Sequence, residues 1–364
     1  MALRSETLAV PGISPFTYVS NPGRVLFGAG RKREIAAELE RLGCRRAFVV
    51  CAPDQKELAL RVATECGARA VFGEAAMHTP VTVTQAALSQ LQAVDCDSLV
   101  AIGGGSTIGL SKALALRTDL PQVAVPTTYA GSEMTPILGE TSEGQKTTLR
   151  SCKVLPEVVI YDVDLTLSLP PGLSAVSGVN AIAHAAEALY AHDTNPVISL
   201  MAEEGIAALG RALPRILTAP SEIAAREAAQ YGAWLSGVCL GSVSMGLHHK
   251  ICHVLGGKFD LRHAETHAVM LPHVVAYNSA AAPVAVARVA KALRRAGAAS
   301  GLFALNRALA NPLSLAELGM PREGIAQAAE QVMKDQYSNP RPLEAAALLS
   351  MLARAWSGEA PRGE

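Results

Sequence analysis

The sequence carries no excess charge of either sign: 32 Lys and Arg residues balance 32 Asp and Glu residues in a chain of 364. Without a basic surplus there is no electrostatic footprint for nucleic acid or an anionic membrane surface, so neither is an expected partner. No stretch is both apolar and long enough to span a bilayer. The opening MALRSETLAVPGISPF has no long apolar run after Arg4 and no evident cleavage site, so the expected location is the cytoplasm. Paired cysteines are missing as well. Cys44, Cys51, Cys66, Cys96, Cys152, Cys239 and Cys252 are scattered, odd in number and without a Cys-x-x-Cys spacing, which argues against a disulfide framework and against a thiolate zinc site. Most read as small buried hydrophobes. Cys252, between two histidines, is the exception and a candidate reactive thiol.

What is present is a chain about half apolar and too long for one ordinary core, so two domains are expected. In the first half, β-rich runs alternate with helical ones: Arg46 to Cys51, Ala70 to Gly73, Ser98 to Ile102 and Gln122 to Val125 as strands. Gln55 to Cys66, Thr82 to Val94 and Ile108 to Leu116 read as helices, and a further extended piece surrounds Val154 to Asp162. That rhythm predicts a parallel sheet covered by helices on both faces, a Rossmann-like nucleotide-binding α/β domain. From Ser174 onward the sequence is Ala- and Leu-rich with helical periodicity, which predicts an all-α C-terminal domain. The boundary falls near Leu167 to Pro171, giving an α/β domain over 1–167 and an all-helical one over 168–364.

Two loops in the first half carry candidate ligand contacts. Gly103, Gly104, Gly105 and Ser106 follow a strand and open a helix, where free N–H groups and the positive end of the helix dipole suit a pyrophosphate. Without a ligand the same four residues are simply a tight strand-to-helix turn. The second loop, Pro126 to Thr135, offers the hydroxyls of Thr127, Thr128 and Ser132 for phosphate, ribose or carboxamide groups, and Tyr129 for stacking or proton donation. Turn capping and plain packing are the ordinary readings of these residues. Two such loops after neighbouring parallel strands form the crevice in which α/β sheets bind ligands.

The densest chemistry lies in Gly246 to His273, GLHHKICHVLGGKFDLRHAETHAVMLPH, which holds six of the nine histidines. His249 and His253 are four apart, as are His263 and His267, so each pair shares a helix face. Gly256 and Gly257 suggest that one helix ends between the pairs. Asn180 and His184 form a third such pair. A lone histidine on an apolar helix is usually a satisfied core residue, but matched pairs point to one site for proton handling or a divalent cation.

These motifs, from Arg24-Val25-Leu26-Phe27-Gly28-Ala29-Gly30 through GGGS and PTTYAGSEMT to the histidine stretch, resemble the iron-containing alcohol dehydrogenase family over nearly the whole chain. The resemblance implies a dehydroquinate synthase-like fold, a nucleotide domain followed by a helical metal-binding domain, and a homodimer. Family members hold a divalent metal with one Asp and three His; the matching positions are Asn180, His184, His249 and His263, with His253 near the nicotinamide. Asn180 replaces an anionic ligand by a neutral amide, so a metal is not expected to be required. Asn180 itself, Tyr129, the MHTPV run from Met77 to Val81 and His267 resemble the branch whose members use NADH or NADPH to reduce the carbon–carbon double bond of maleylacetate to 3-oxoadipate. On that reading the catalytic set is His184, His249, His253, His263, Asn180 and Tyr129, and His267, Arg262 and Arg341 are candidate contacts to a small dicarboxylate. The alternatives are a metal-dependent dehydrogenase acting on a small alcohol or aldehyde, and a dehydroquinate-synthase-like lyase with transiently bound NAD.

Overall fold

A computed structural model describes residues 16–21, 23–142, 145–334 and 336–363; the reading of residues 1–15 lies outside them. The first half contains strands β1 (Arg24–Gly28), β2 (Ala47–Cys51), β3 (Ala70–Phe72), β4 (Ser98–Gly103), β5 (Gln122–Pro126), β6 (Ile137–Ser142), β7 (Gln145–Arg150) and β8 (Val158–Asp162). Between them run helices α1 (Ile35–Arg41), α2 (Lys56–Glu65), α3 (Val81–Gln92) and α4 (Gly105–Thr118). Six strands form one sheet in the order β1-β8-β5-β4-β2-β3, every pair parallel. The central strands AFVVC, QVAVP and VVIYD are buried at every position, as a parallel sheet covered on both faces requires. Alternate side chains divide between two cores. Val49 and Cys51 pack with Ile35, Leu39 and Val62 of α1 and α2, while Phe48 and Val50 pack with Leu91, Ile108 and Leu114 of α3 and α4.

The sheet is larger than the sequence pattern predicts. RVLFG forms β1, an edge strand only partly buried, so its apolar signal is diluted. The antiparallel β6–β7 hairpin was also missed. ILGETS and QKTTLR make a two-stranded sheet of their own, rich in polar residues because little of it faces a core.

The second half is helical: α5 (Pro171–Ala188), α6 (Pro196–Thr218), α7 (Ile223–Ser242), α8 (Leu247–Phe259), α9 (His263–Asn278), α10 (Pro283–Ala292), α11 (Ala298–Ala308), α12 (Gly324–Lys334) and α13 (Ala345–Ser357). Among the described residues no helix is long and apolar enough to cross a membrane. Helix α5 is its axis. From Ser174 to Ala188 every residue is buried, with Ala, Gly and Ser at enough positions that α6, α7 and α9 approach closely around it. Any polar side chain on α5 is therefore drawn into the interior. The expectation of a helix end at Gly256 and Gly257 is corrected: α8 runs through both and stops at Asp260, which adopts the left-handed conformation at φ 52°. Both glycines lie on the more exposed side of the helix, where they cost some helix propensity without breaking it.

Arg226 of α7 pins the passage from sheet to helices. Its guanidinium is wholly buried and donates to Pro220 O (2.9 Å), Ser174 Oγ (2.7 Å) and Leu169 O (2.9 Å). Replacing it by Ala removes three charge-assisted bonds and leaves a cavity. The expected loss is about 3 kcal/mol, read as a melting temperature several degrees lower by calorimetry. An unchanged melting temperature would mean that the passage is held by other contacts.

Candidate active site

The Gly-rich turn is built as the sequence suggests. β4 ends at Gly103 and α4 begins at Gly105, with Gly104 as an extended N-cap that has no side-chain cap, so the first N–H groups of α4 remain available. A Cβ at Gly104 would stand 2.9 Å from Thr128 Cγ2, so the second loop lies directly on the turn. Thr127 ties the two together by donating its N–H to Gly103 O (3.1 Å). Ser106 is half-buried in the first turn of α4, and Thr107 Oγ1 is buried there without a partner.

One residue in this region escaped the sequence reading. Lys112, fully buried on α4, donates from Nζ to Ser132 O (2.6 Å), Thr135 O (2.7 Å), Ile137 O (2.9 Å) and Thr135 Oγ1 (2.9 Å). Burial pulls its ammonium down to about 7, with buried Glu133 acting in the opposite sense. The Gly-rich helix and the Ser132–Ile137 segment thereby move as one piece. Its signal in the sequence was a lone lysine inside the apolar run of α4.

The second loop reaches the helical half at Gly131. This glycine sits at φ 77°, and a Cβ there would lie 3.0 Å from Gly237 Cα of α7 and 3.5 Å from His184 Nδ1. Only a residue without a side chain fits so close an approach. The loop that touches the nucleotide-type turn at one end thus touches the histidines at the other.

Three helices supply those histidines: α5 carries Asn180 and His184, α8 carries His248, His249 and His253, and α9 carries His263 and His267. Ring centroids lie 5.1 Å apart for His184–His249, 6.2 Å for His249–His253, 4.9 Å for His249–His267 and 4.3 Å for His263–His267. The histidines of the three helices therefore converge in one cluster. Asn180, His184, His249 and His267 are buried while His253 and His263 are exposed, so the cluster opens to solvent on that side. Burial, then the neighbouring imidazoles His249, His263 and His248, hold His184 well below the usual histidine range.

The residue that organises the cluster, Glu187, was not anticipated. It lies one turn beyond His184 on α5, with its carboxylate wholly buried. It accepts from the backbone N–H of Gly246 (3.1 Å), His248 (2.8 Å) and His249 (3.3 Å), and from His249 Nδ1 at 2.5 Å. Burial would raise this carboxyl, but the hydrogen bond and charge of His249, with His248, outweigh it and leave it lowered. A carboxylate at this place fixes the proton of His249 on Nδ1, so Nε2, buried and without a partner among the described residues, faces the cluster. Glu187 also caps the first turn of α8.

Several expectations are corrected. Tyr129 is not among the histidines: its ring is fully buried in the helical core with Leu169, Ala175 and Val179, and its hydroxyl lies toward Arg226 and Thr166. Its place is in the packing of that core. Arg341 stacks on Tyr277, 4.2 Å from the ring centroid, ten residues and about 15 Å along α9 from His267. Arg262 is exposed and pairs with Glu265 at 3.3 Å, but as the residue before α9 it stays beside His263. His267 lies behind the exposed histidines, with Nδ1 bonded to His248 Nε2 at 2.9 Å. Cys252 is buried, and burial, then Glu187, pushes its thiol well above the usual range, which makes it a poor nucleophile.

The metal expected of the resembled family finds a weak donor set. Among the described residues Asn180 Oδ1, His184 Nδ1 and His249 Nε2 are buried and without partners, yet together with His263 they bring no negative charge, and the buried carboxylate of Glu187 is committed to α8 and His249. Four neutral ligands do not fit a hard divalent ion well.

The profile described as "Iron-containing alcohol dehydrogenase" matches residues 22–163, and that described as "Fe-containing alcohol dehydrogenase family, C-terminal" matches residues 174–356. The maleylacetate reductase of Burkholderia cepacia is 52% identical over 96% of this chain and 100% of its own. The crystal structure of maleylacetate reductase from Agrobacterium tumefaciens superposes with a TM-score of 0.93 at 52% identity, over 96% of this chain and 100% of that one. A sulfoacetaldehyde reductase from Bifidobacterium kashiwanohense in complex with NAD+ shares the fold, with a TM-score of 0.88 at 23% identity over 94% and 99% of the two chains.

His273 of α9 stands apart from the cluster, buried with both ring nitrogens unpartnered among the described residues, and burial followed by the charge of Arg354 lowers it to about 4. As pH falls below the ordinary value of 6.5, the unfolded chain takes up this proton first, so stability is complete above 6.5 and declines toward 4. His273→Phe is expected to make the fall of melting temperature across that window shallower. Parallel curves for the two proteins would show that His273 does not couple to folding.

Proposed function

We propose, from the membership of this chain in the iron-containing alcohol dehydrogenase family, that it is an NADH- or NADPH-dependent reductase of maleylacetate. The observation that carries this reading is the 52% identity to maleylacetate reductases along nearly the whole chain. The site chemistry is consistent with it.

The turn at Gly103, Gly104, Gly105 and Ser106 would hold the pyrophosphate, with Thr127, Thr128 and Ser132 beside it. When bound, the reduced nicotinamide supplies a hydride. Maleylacetate conjugates its double bond to a ketone. Addition of hydride to the carbon β to that ketone moves an electron pair through the conjugated system onto the ketone oxygen, giving an enolate. Protonation of the α carbon then completes 3-oxoadipate. The protein must therefore stabilise negative charge on one oxygen and deliver one proton.

We assign the buried His184 to donate a ring N–H to that oxygen, with buried His249 packed against it, because a fixed donor in a dry site is worth more than in water. Glu187 fixes the orientation of His249, as a buried carboxylate does behind a catalytic imidazole. His253 is exposed on the same helix and can exchange its proton with solvent, which suits it to protonate the α carbon. Asn180 offers an amide to a substrate carboxylate, and Arg262 a cation near His263. We further propose that turnover needs no metal; the neutral donor set around Asn180 supports this. A cytoplasmic homodimer without nucleic-acid or membrane partners completes the proposal, resting on the balanced charge of the chain and on family resemblance.

The test is nicotinamide absorbance during turnover of maleylacetate by metal-stripped protein with chelator present, with NADH and NADPH in parallel. Full activity under chelation is expected. Activity restored only by iron, zinc or manganese would overturn the metal-free part. Absence of turnover under every condition, with reduction of a simple aldehyde instead, would favour the metal-dependent alcohol dehydrogenase reading.

A further inference from the structure

Behind the histidines assigned to the reaction lies a second group, made of His248 and Cys252 on α8 and His267 on α9. All three are buried, and one ligand atom from each lies within 4.8 Å of the others. His248 Nε2 is 2.9 Å from His267 Nδ1 and 3.8 Å from Cys252 Sγ. In a tetrahedral zinc site, with Zn–N near 2.05 Å and Zn–S near 2.3 Å, two nitrogens stand about 3.3 Å apart, and nitrogen and sulfur about 3.6 Å. The His248–His267 and His248–Cys252 edges need shifts of under half an ångström to reach that geometry, and the Cys252–His267 edge, within 4.8 Å, closes by up to about 1 Å. No Cys-x-x-Cys spacing announces it, because the three ligands come from an i, i+4 pair on one helix and a single residue of the next.

The chemistry differs from that around Asn180. A thiol becomes an anionic, soft ligand when a metal displaces its proton, and two imidazoles with one thiolate suit a thiophilic cation. Among the described residues His248 Nδ1 and His267 Nε2 are buried without partners, so each can carry the N–H that its ring needs once Nε2 of His248 and Nδ1 of His267 become ligands. We propose that His248, Cys252 and His267 form a binding site for a soft divalent cation, Zn2+, and that its occupancy suppresses turnover. Binding converts Cys–SH and Zn2+ into a zinc thiolate and one released proton, and the proton now lying between the two imidazoles moves to the far nitrogen of the ring that holds it. The metal then fixes the tautomer and position of His267, whose ring packs against both His249 and His263. Suppression of turnover rests on the reductase reading above; binding does not.

Co2+ serves as the spectroscopic probe on the full-length protein after chelator treatment. A thiolate-to-cobalt charge-transfer band in the near ultraviolet, saturating at one equivalent, is expected; no such band would overturn the site whether or not the protein reduces maleylacetate. Cys252→Ser should abolish the band, keep basal turnover in chelator, and weaken zinc inhibition more than about 100-fold, beyond what loss of an outer-shell partner costs. A band or inhibition that persists in Cys252→Ser would place the metal elsewhere. Cys252→Ala repeats the measurement should the serine variant misfold.

Discussion

A single buried carboxylate holds the functional half of this protein in place. Glu187 is sealed inside α5, where an unpaired charge would be prohibitively costly, and it is compensated entirely by the opening turn of α8 and by the His249 ring. Neither element makes sense alone. The turn of α8 would otherwise bury N–H groups without acceptors, and His249 would be free to choose its tautomer. The same four hydrogen bonds therefore fix the backbone direction of α8, and with it the positions of His248, Cys252 and His253.

A comparable constraint acts across the two halves of the chain. Lys112 binds α4 to the segment after β5, and Gly131 brings that segment against His184 with no room for a side chain. The turn proposed to hold the pyrophosphate and the histidines proposed to meet the enolate are thus joined through a few rigid contacts. Hydride transfer tolerates little slack between donor and acceptor, and this connection supplies the rigidity.

Much of this was legible in the sequence because it rests on local periodicity. Gly103 to Ser106 after an apolar strand, and the i, i+4 spacing of Asn180 with His184 and of His249 with His253, each state a shared face without tertiary knowledge. What stayed hidden depends on distant partners. Glu187 reads as one more acid in an Ala-rich helix, since the groups that make it essential lie about sixty positions later. Tyr129 sits in a motif of polar residues, yet its ring turned into the core. The charge of Arg341 points to an anion contact, but its guanidinium stacks on Tyr277. Gly256 and Gly257 carried the right propensity, and tertiary packing of α8 overrode it.

In the proposed mechanism the histidines receive charge from an enolate, which requires hydride to arrive at a carbon–carbon double bond. The direct measurement is turnover of maleylacetate with reduced nicotinamide deuterated at its transferable position, followed by mass and NMR analysis of the product. Deuterium at the carbon β to the retained ketone is the predicted result. Deuterium on a carbinol carbon, with the double bond intact, would contradict the account and make this protein a carbonyl reductase.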